Sequence, residues 1–189
     1  MTAGTDGSAS WPQIAGWYDQ LLQQGSGPHQ LAVATTLRLA GDVRGASVLD
    51  LACGQGIATR ALARAGAAEV TGVDVTAEMI EAARRFARLR DRAPVLPGPG
   101  RQHSPGDDGR PGRLIVEYLT DRFWRSASLE GVRRAGNYHR TLSTYLNTLT
   151  ACGYALTAVD EPPAGDLLAA DQPVYSAVPI FFAARAVRG

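Results

Sequence analysis

Two carboxylates and two glycines stand in one short part of this chain at spacings that favour a nucleoside site. Asp50 lies in an apolar run and is followed by Gly54 and Gly56. Asp74 ends the next apolar run. Glycine lets backbone approach a ligand closely, and a strand-end carboxylate can accept hydrogen bonds from both hydroxyls of a ribose. The pattern predicts an adenosyl-ligand site; the plain alternative is a glycine turn that only makes a tight connection.

The elements that would position these residues are strand, turn, helix and strand. Periodicity predicts a strand over 47–51, a helix over 57–65 and a second strand at 70–74. The amide-rich start of that helix then points to the same place as the glycines.

Two other phosphate-binding patterns do not fit. A dinucleotide fingerprint has a third glycine where Thr59 stands, and the turn lacks the lysine of a P-loop. The chain contains no lysine, which also excludes Schiff-base chemistry on a lysine.

The run from Asp50 to Gly56 resembles the first motif, D-x-A-C-G-x-G, of the class I S-adenosylmethionine (SAM) dependent methyltransferases. The resemblance implies SAM as cofactor, Asp74 as the ribose carboxylate, and a helix-opening Thr76 followed by a methionine that packs on the adenine. The cofactor contacts implied are Tyr18, Asp50, Ala52, Cys53, Gly54, Gly56, Asp74, Val75 and Met79.

Residues 1–45 form a predicted helical prefix. Apolar residues recur at helical spacing from Trp11 to Leu22, and Pro28 can open a second helix that runs to about Leu39. The prefix resembles the cap of small-molecule methyltransferases, in which an aromatic pair, here Trp17 and Tyr18, closes over the SAM site. The alternative is that both aromatics are core residues.

The centre of the chain departs from the family. Residues 93–112 contain five prolines and five glycines, a composition typical of a linker. The family has a strand, a helix and a further strand here, so the sheet is predicted to be truncated in its centre. Asp107 and Asp108 are an alternative source of an adenine-facing carboxylate, but turn residues are the expected interpretation. Residues 114–119 are predicted to be a strand that pairs with the first strand or with another chain, which would make a homo-oligomer.

After the gap the resemblance returns. Residues 137–154 resemble the closing section of small-molecule methyltransferases: a loop with Tyr138, His139 and Arg140, then a helix capped by Thr141 or Ser143 and ended by Gly153. Residues 154–160 and 178–187 are predicted to be the last two strands, antiparallel, joined by a proline-rich connection.

His139 and Arg140 are the predicted catalytic residues. A histidine with an ordinary pKa near 6.5 suits a general base, and Arg140 can attract an anionic substrate. The alternatives are a structural histidine and a structural ion pair of Arg140 with an acidic residue. His29 and His103 are assigned no role.

Composition supports an ordinary globular protein. A net charge of +1 gives no electrostatic case for nucleic acid, and the arginines after Glu81 are predicted to be a solvated helix face. Without a signal peptide or membrane-length apolar run, a cytoplasmic protein with no membrane partner is expected. Cys53 and Cys152 are predicted to be small buried thiols, with no metal site.

The sequence therefore predicts one α/β domain with a Rossmann-like methyltransferase fold, mostly parallel and closed by an antiparallel hairpin. Its expected parts are a helical cap (1–45), a SAM-binding half (46–92), the linker (93–112) and a C-terminal part (113–189). The expected function is methyl transfer from SAM to an oxygen, nitrogen or carbon of a small-molecule substrate. The alternative is a fold that binds SAM, or a partner subunit, without methylating.

Overall fold

A computed structural model describes residues 10–88, 117–126 and 131–189, so the predicted linker and its two aspartates lie outside the described residues. The helices are α1 (Trp11–Gln23), α2 (Gly27–Ala40), α3 (Ile57–Arg64), α4 (Ala77–Arg88), α5 (Leu142–Ala151) and α6 (Gly165–Asp171), with short 3-10 turns at Val132–Ala135 and Pro173–Ser176. The strands are β1 (Ser47–Leu51), β2 (Glu69–Val73), β3 (Arg122–Trp124), β4 (Asn137–His139), β5 (Tyr154–Asp160) and β6 (Ala183–Arg188). In the described part of the chain, no helix is long and apolar enough to cross a membrane.

The first half has the strand–helix–strand unit that the alternating pattern predicts. β1 and β2 pair in parallel, from Ser47 opposite Glu69 to Leu51 opposite Val73, with α3 as the crossover helix. Both strands therefore end at the same edge of the sheet. This confirms the α/β, Rossmann-like fold and places the glycine turn beside the residue that follows β2.

The predicted cap is present as α1 and α2. Gln13 folds back so that its Oε1 accepts a 2.6 Å hydrogen bond from the Ser10 amide, which fixes the start of α1. α1 buries Ile14 and Leu22 and packs on α4. Arg85 of α4 contacts Asp19 of α1 at 3.4 Å, so this arginine is part of a helix contact as well as of the exposed face.

The C-terminal half consists of two antiparallel pairs. The predicted final hairpin is confirmed as β5 with β6, although β6 begins at Ala183 and not at residue 178. Its connection contains the helix α6, which was not predicted. Thr141 caps α5 by accepting from the Thr144 amide at 3.2 Å, and Gly153 follows the helix with φ +81°, as predicted.

Two predictions for this half were wrong. Residues 117–119 form a turn and not a strand, because Glu117 has φ +53° and its carbonyl accepts from the Thr120 amide at 3.0 Å; the rest of the predicted strand, 114–116, lies outside the described residues. The segment before Arg140 is not a loop but β4, which pairs with β3.

Within the described residues β1 has one strand neighbour, β2. The side chains of Leu49 and Leu51 are 59% and 69% exposed, values that a central strand of a complete sheet would not have.

Candidate functional site

The turn after β1 is held in an uncommon backbone shape. Ala52, Gly54 and Gly56 all have positive φ, at +58°, +55° and +78°. The Cys53 amide donates to the Val73 carbonyl at 3.0 Å, and the Gly56 amide donates to the Cys53 carbonyl at 2.8 Å. Two of the three left-handed positions are glycines, which adopt this conformation without strain. The turn is therefore hydrogen-bonded to Val73, the last residue of β2, and α3 begins directly after Gly56.

Asp74 connects this turn to the start of α4. Its Oδ2 accepts from the Gly54 amide at 2.9 Å, and its Oδ1 accepts from the Thr76 amide at 2.8 Å. Thr76 is buried and Val75 is fully exposed. Each carboxylate oxygen has a second lone pair, so Asp74 is fixed in place and can still accept hydrogen bonds from a ligand.

Asp50 serves the packing of the turn. Its Oδ2 accepts from Thr59 Oγ1 at 2.6 Å, which ties β1 to α3. A Cβ at Gly72 would lie 3.0 Å from Thr59 Oγ1 and 3.0 Å from Cys53 Sγ. Close helix–strand packing therefore depends on Gly72 of β2, which sequence reasoning missed, and not on a third glycine in the turn.

Arg60 stabilises the turn through Gln55, and the sequence analysis did not identify it. Its guanidinium donates to the Gln55 carbonyl at 2.6 Å and lies 5.1 Å from the Phe86 ring centroid. A Gln followed five positions later by Arg carries no recognisable signal, so only the folded turn identifies this pair.

Burial separates the predicted cofactor contacts into two groups. Met79 is 2% exposed and Cys53 8%, so both present little surface to a ligand, whereas Val75 and Gly54 are accessible. Burial, followed by the carboxylates of Asp50 and Asp74, raises the pKa of the Cys53 thiol. Cys53 is thus the predicted buried thiol, but Cys152 is exposed, which contradicts its prediction.

Tyr18 belongs to α1 of the cap, and the charge of Asp74 acts on its phenol. Burial and then the charge of Asp74 raise the pKa of its phenol, so the hydroxyl stays protonated beside that carboxylate. The Tyr18 hydroxyl lies 2.7 Å from His29 Nε2, and His29 Nδ1 lies 2.6 Å from Ser26 Oγ. The sequence analysis assigned His29 no role, but its ring joins Tyr18 of α1 to Ser26, the residue before α2.

His139 and Arg140 contact their own hairpin and the turn before it. His139 Nε2 lies 2.8 Å from the Tyr118 carbonyl, so this nitrogen is the protonated one. The Arg140 guanidinium lies 5.5 Å from the Tyr138 ring centroid. A base role for His139 therefore depends on Nδ1, and the hydrogen bond supports the structural alternative. Among the described residues, the contacts of this pair are therefore with the hairpin and the turn before it.

An adenosyl group fits the residues at the turn. Nothing lies within 4 Å of where a Cβ at Gly54 would stand, so there is open space beside the backbone and next to the Asp74 carboxylate. Across the described ranges, no group of three or more His, Cys, Asp or Glu side chains is arranged to hold a metal ion.

Comparison with protein families gives a match in this part of the chain. The family described as "Methyltransferase domain" matches residues 48–108, which include the glycine turn and Asp74. The match continues through most of the proline- and glycine-rich segment, so the likeness extends further along the chain than the motifs indicated.

Curated relatives and a solved structure agree with this match. Two "Ubiquinone biosynthesis O-methyltransferase" proteins, from Neisseria meningitidis and Actinobacillus pleuropneumoniae, are 44% identical over 54 residues and 56% identical over 43. The matched segments span 29% and 23% of this chain, and only 23% and 18% of those relatives. The crystal structure of a SAM-dependent methyltransferase from Mesorhizobium loti superposes with a TM-score of 0.59 at 21% identity, over 88% of this chain and 100% of the other.

Proposed function

We propose that this chain, which has the fold of SAM-dependent methyltransferases and a methyltransferase-domain match at residues 48–108, is itself such an enzyme and transfers the methyl group of SAM to a hydroxyl oxygen of a small molecule. The observation that carries the proposal is the Asp74 carboxylate, fixed by the Gly54 and Thr76 amides beside open space. The choice of oxygen rests on the O-methyltransferases among its relatives.

The chain's residues would act mainly by binding and orientation. Asp74 would accept hydrogen bonds from the ribose hydroxyls, and the backbone at Gly54 would contact the ligand closely, whereas Gly56 is buried. Val75, which is fully exposed, would cover one face of the adenine. SAM supplies an electrophilic methyl group, so alignment with the acceptor can contribute roughly 7–11 kcal/mol to lowering the barrier.

Roles are proposed for three further residues around the cofactor and the acceptor. Tyr18 would close the cap over the cofactor, because its hydroxyl lies in the field of Asp74. Arg140 would attract an acidic acceptor from the hairpin side. His139 would hold the turn before the hairpin through the hydrogen bond of Nε2 to the Tyr118 carbonyl, and a base role through Nδ1 is the alternative.

Calorimetric titration tests the cofactor half of the proposal. We expect S-adenosylhomocysteine, the demethylated product, to bind with at least micromolar affinity, and SAM to bind comparably. Radiolabelled SAM with catechol as the probe acceptor then tests transfer. No heat with either ligand at millimolar concentration would remove the proposed function.

One observation favours a second candidate function. The exposed Leu49 and Leu51 on β1 would suit a module that binds SAM and joins another chain through its sheet without methylating. A homo-oligomer through this edge belongs to that candidate. Binding of S-adenosylhomocysteine without transfer to a panel of phenols, together with a concentration-dependent mass in light scattering, would favour it.

A further inference from the structure

Three side chains of the N-terminal helices form one continuous hydrogen-bonded chain. Ser26 Oγ, the two ring nitrogens of His29 and the Tyr18 hydroxyl are joined by contacts of 2.6 and 2.7 Å. The Tyr18 and His29 rings meet edge to face at 5.4 Å, and Trp11 packs on the other side of Tyr18 at 5.8 Å. The rings of Tyr18 and His29 are partly buried, so these hydrogen bonds are partly shielded from solvent.

The protonation states suit proton transfer along this chain. Burial lowers the pKa of His29, so its imidazole is neutral at pH 7 and one ring nitrogen can accept a proton. Burial and Asp74 raise the pKa of Tyr18, so its hydroxyl carries a proton to pass on. When Nδ1–H donates to Ser26 Oγ, Nε2 accepts from the Tyr18 hydroxyl.

We propose that Tyr18, His29 and Ser26 form a proton relay that takes the proton of a hydroxyl acceptor during methyl transfer. The inference rests on the proposed function and deepens it, because it specifies an acceptor with an O–H group. Tyr18 touches the acceptor; His29 and Ser26 act through Tyr18 and are positioning residues.

The proton balance closes in one step. The acceptor O–H bond breaks and its proton bonds to Tyr18 Oη, while the Tyr18 O–H bond breaks and that proton bonds to His29 Nε2. His29 becomes an imidazolium whose Nδ1–H still donates to Ser26, and it then releases one proton to solvent. A hydroxyl that gains a methyl cation loses one proton, which is the proton that the relay carries away.

The charged groups around the relay are Asp74, Asp19 and Arg85. Asp74 lies on the Tyr18 side, where its negative charge disfavours a lasting phenolate. Asp19, the next residue on α1, accepts from Gln23 and pairs with Arg85. Ser26, at the start of α2, is neutral.

NMR of the histidine side chains tests the relay without turnover. The chain has three histidines, so single substitutions assign the signals. We expect His29 to be neutral at pH 7, with its proton on Nδ1 and a pKa below the ordinary 6.5. A proton on Nε2 at pH 7, or a pKa above that ordinary value, would overturn the relay, since Nε2 could not receive the tyrosine proton.

His29→Gln separates basicity from position, because its amide oxygen still accepts from Tyr18 but cannot become protonated. With SAM and catechol we expect kcat to fall by about 10²-fold at pH 7, KM for SAM to change less than threefold, and the acidic limb of the kcat profile to disappear. Tyr18→Phe should lower kcat similarly. His103→Gln, the same change at a histidine with no assigned role, is the matched control.

The two proposals fail separately. If the protein binds S-adenosylhomocysteine and His29→Gln turns over at the wild-type rate, the proposed function stands and the relay is wrong. A chain that does not bind S-adenosylhomocysteine loses the proposed function, whatever tautomer His29 has.

Discussion

The Gly54 amide donates a 2.9 Å hydrogen bond to Asp74 Oδ2, so the turn after β1 is tied directly to the carboxylate that ends β2. Both groups belong to the parallel pair, whose strands end at one edge. The bond pre-organises the site because the carboxylate cannot rotate freely, which lowers the entropy lost when a ligand is bound.

Replacing Asp74 tests this relationship. Asp74→Ala removes the carboxylate that accepts from two backbone amides and the predicted hydrogen bonds to the ribose. We therefore expect S-adenosylhomocysteine to bind more weakly by about 1–3 kcal/mol. Asp42→Ala, which removes an exposed carboxylate paired with Arg44, is the control and should bind normally. Equal dissociation constants for wild type and Asp74→Ala, by calorimetry, would contradict the assignment.

Substitution of Gly72 and of Gly16 by alanine should change the free energy of unfolding in opposite directions. A Cβ at Gly72 would press on Cys53 and Thr59 at 3.0 Å, so Gly72→Ala should lower the free energy of unfolding by about 1–3 kcal/mol. Gly16 of α1 has nothing within 4 Å, so Gly16→Ala should raise it by about 0.5–1 kcal/mol through helix propensity. Urea denaturation measures the free energy of unfolding of both variants. A stabilising Gly72→Ala would show that the turn can move to accommodate the added methyl group.

The sequence predicted the first half well because its signals are local. Alternating apolar runs, glycines and a strand-end acid give β1, the turn, α3, β2 and Asp74, and parallel pairing then follows from the short crossover. The capped α5 and its final glycine were equally readable.

What failed depended on contacts between distant residues. The Tyr18–His29 contact joins α1 to α2, and no spacing within either helix specifies it. Glu117 has a positive φ although nothing in its residue type requires one, so an apolar run was mistaken for a strand. The role of Gly72 is visible only when Cys53 and Thr59 have been folded against it.

Acid should weaken the fold through His29. Its pKa in the folded chain is below the unfolded value of 6.5, so the unfolded state binds more protons as the pH falls through that value. We therefore expect the free energy of unfolding to be constant just above pH 7 and to fall as the pH drops below about 6.5. His29→Gln should flatten this part of the pH profile in urea titrations; an unchanged slope would mean that another group causes the loss.

Substitution of His139 tests whether this residue has a structural or a catalytic role. Its Nε2 donates to the Tyr118 carbonyl, and the two rings meet at 5.6 Å, so it holds the turn 117–119 against β4. We expect His139→Ala to lower the free energy of unfolding by about 0.5–1.5 kcal/mol, the net value of one hydrogen bond, and to change the rate of methyl transfer less than threefold. Denaturation and initial rates on the same preparation measure both quantities. Tyr138→Ala is the comparison within the same hairpin, because it removes an exposed ring without touching that bond. A loss of rate near 10²-fold in His139→Ala with unchanged stability would instead assign the base to His139 Nδ1.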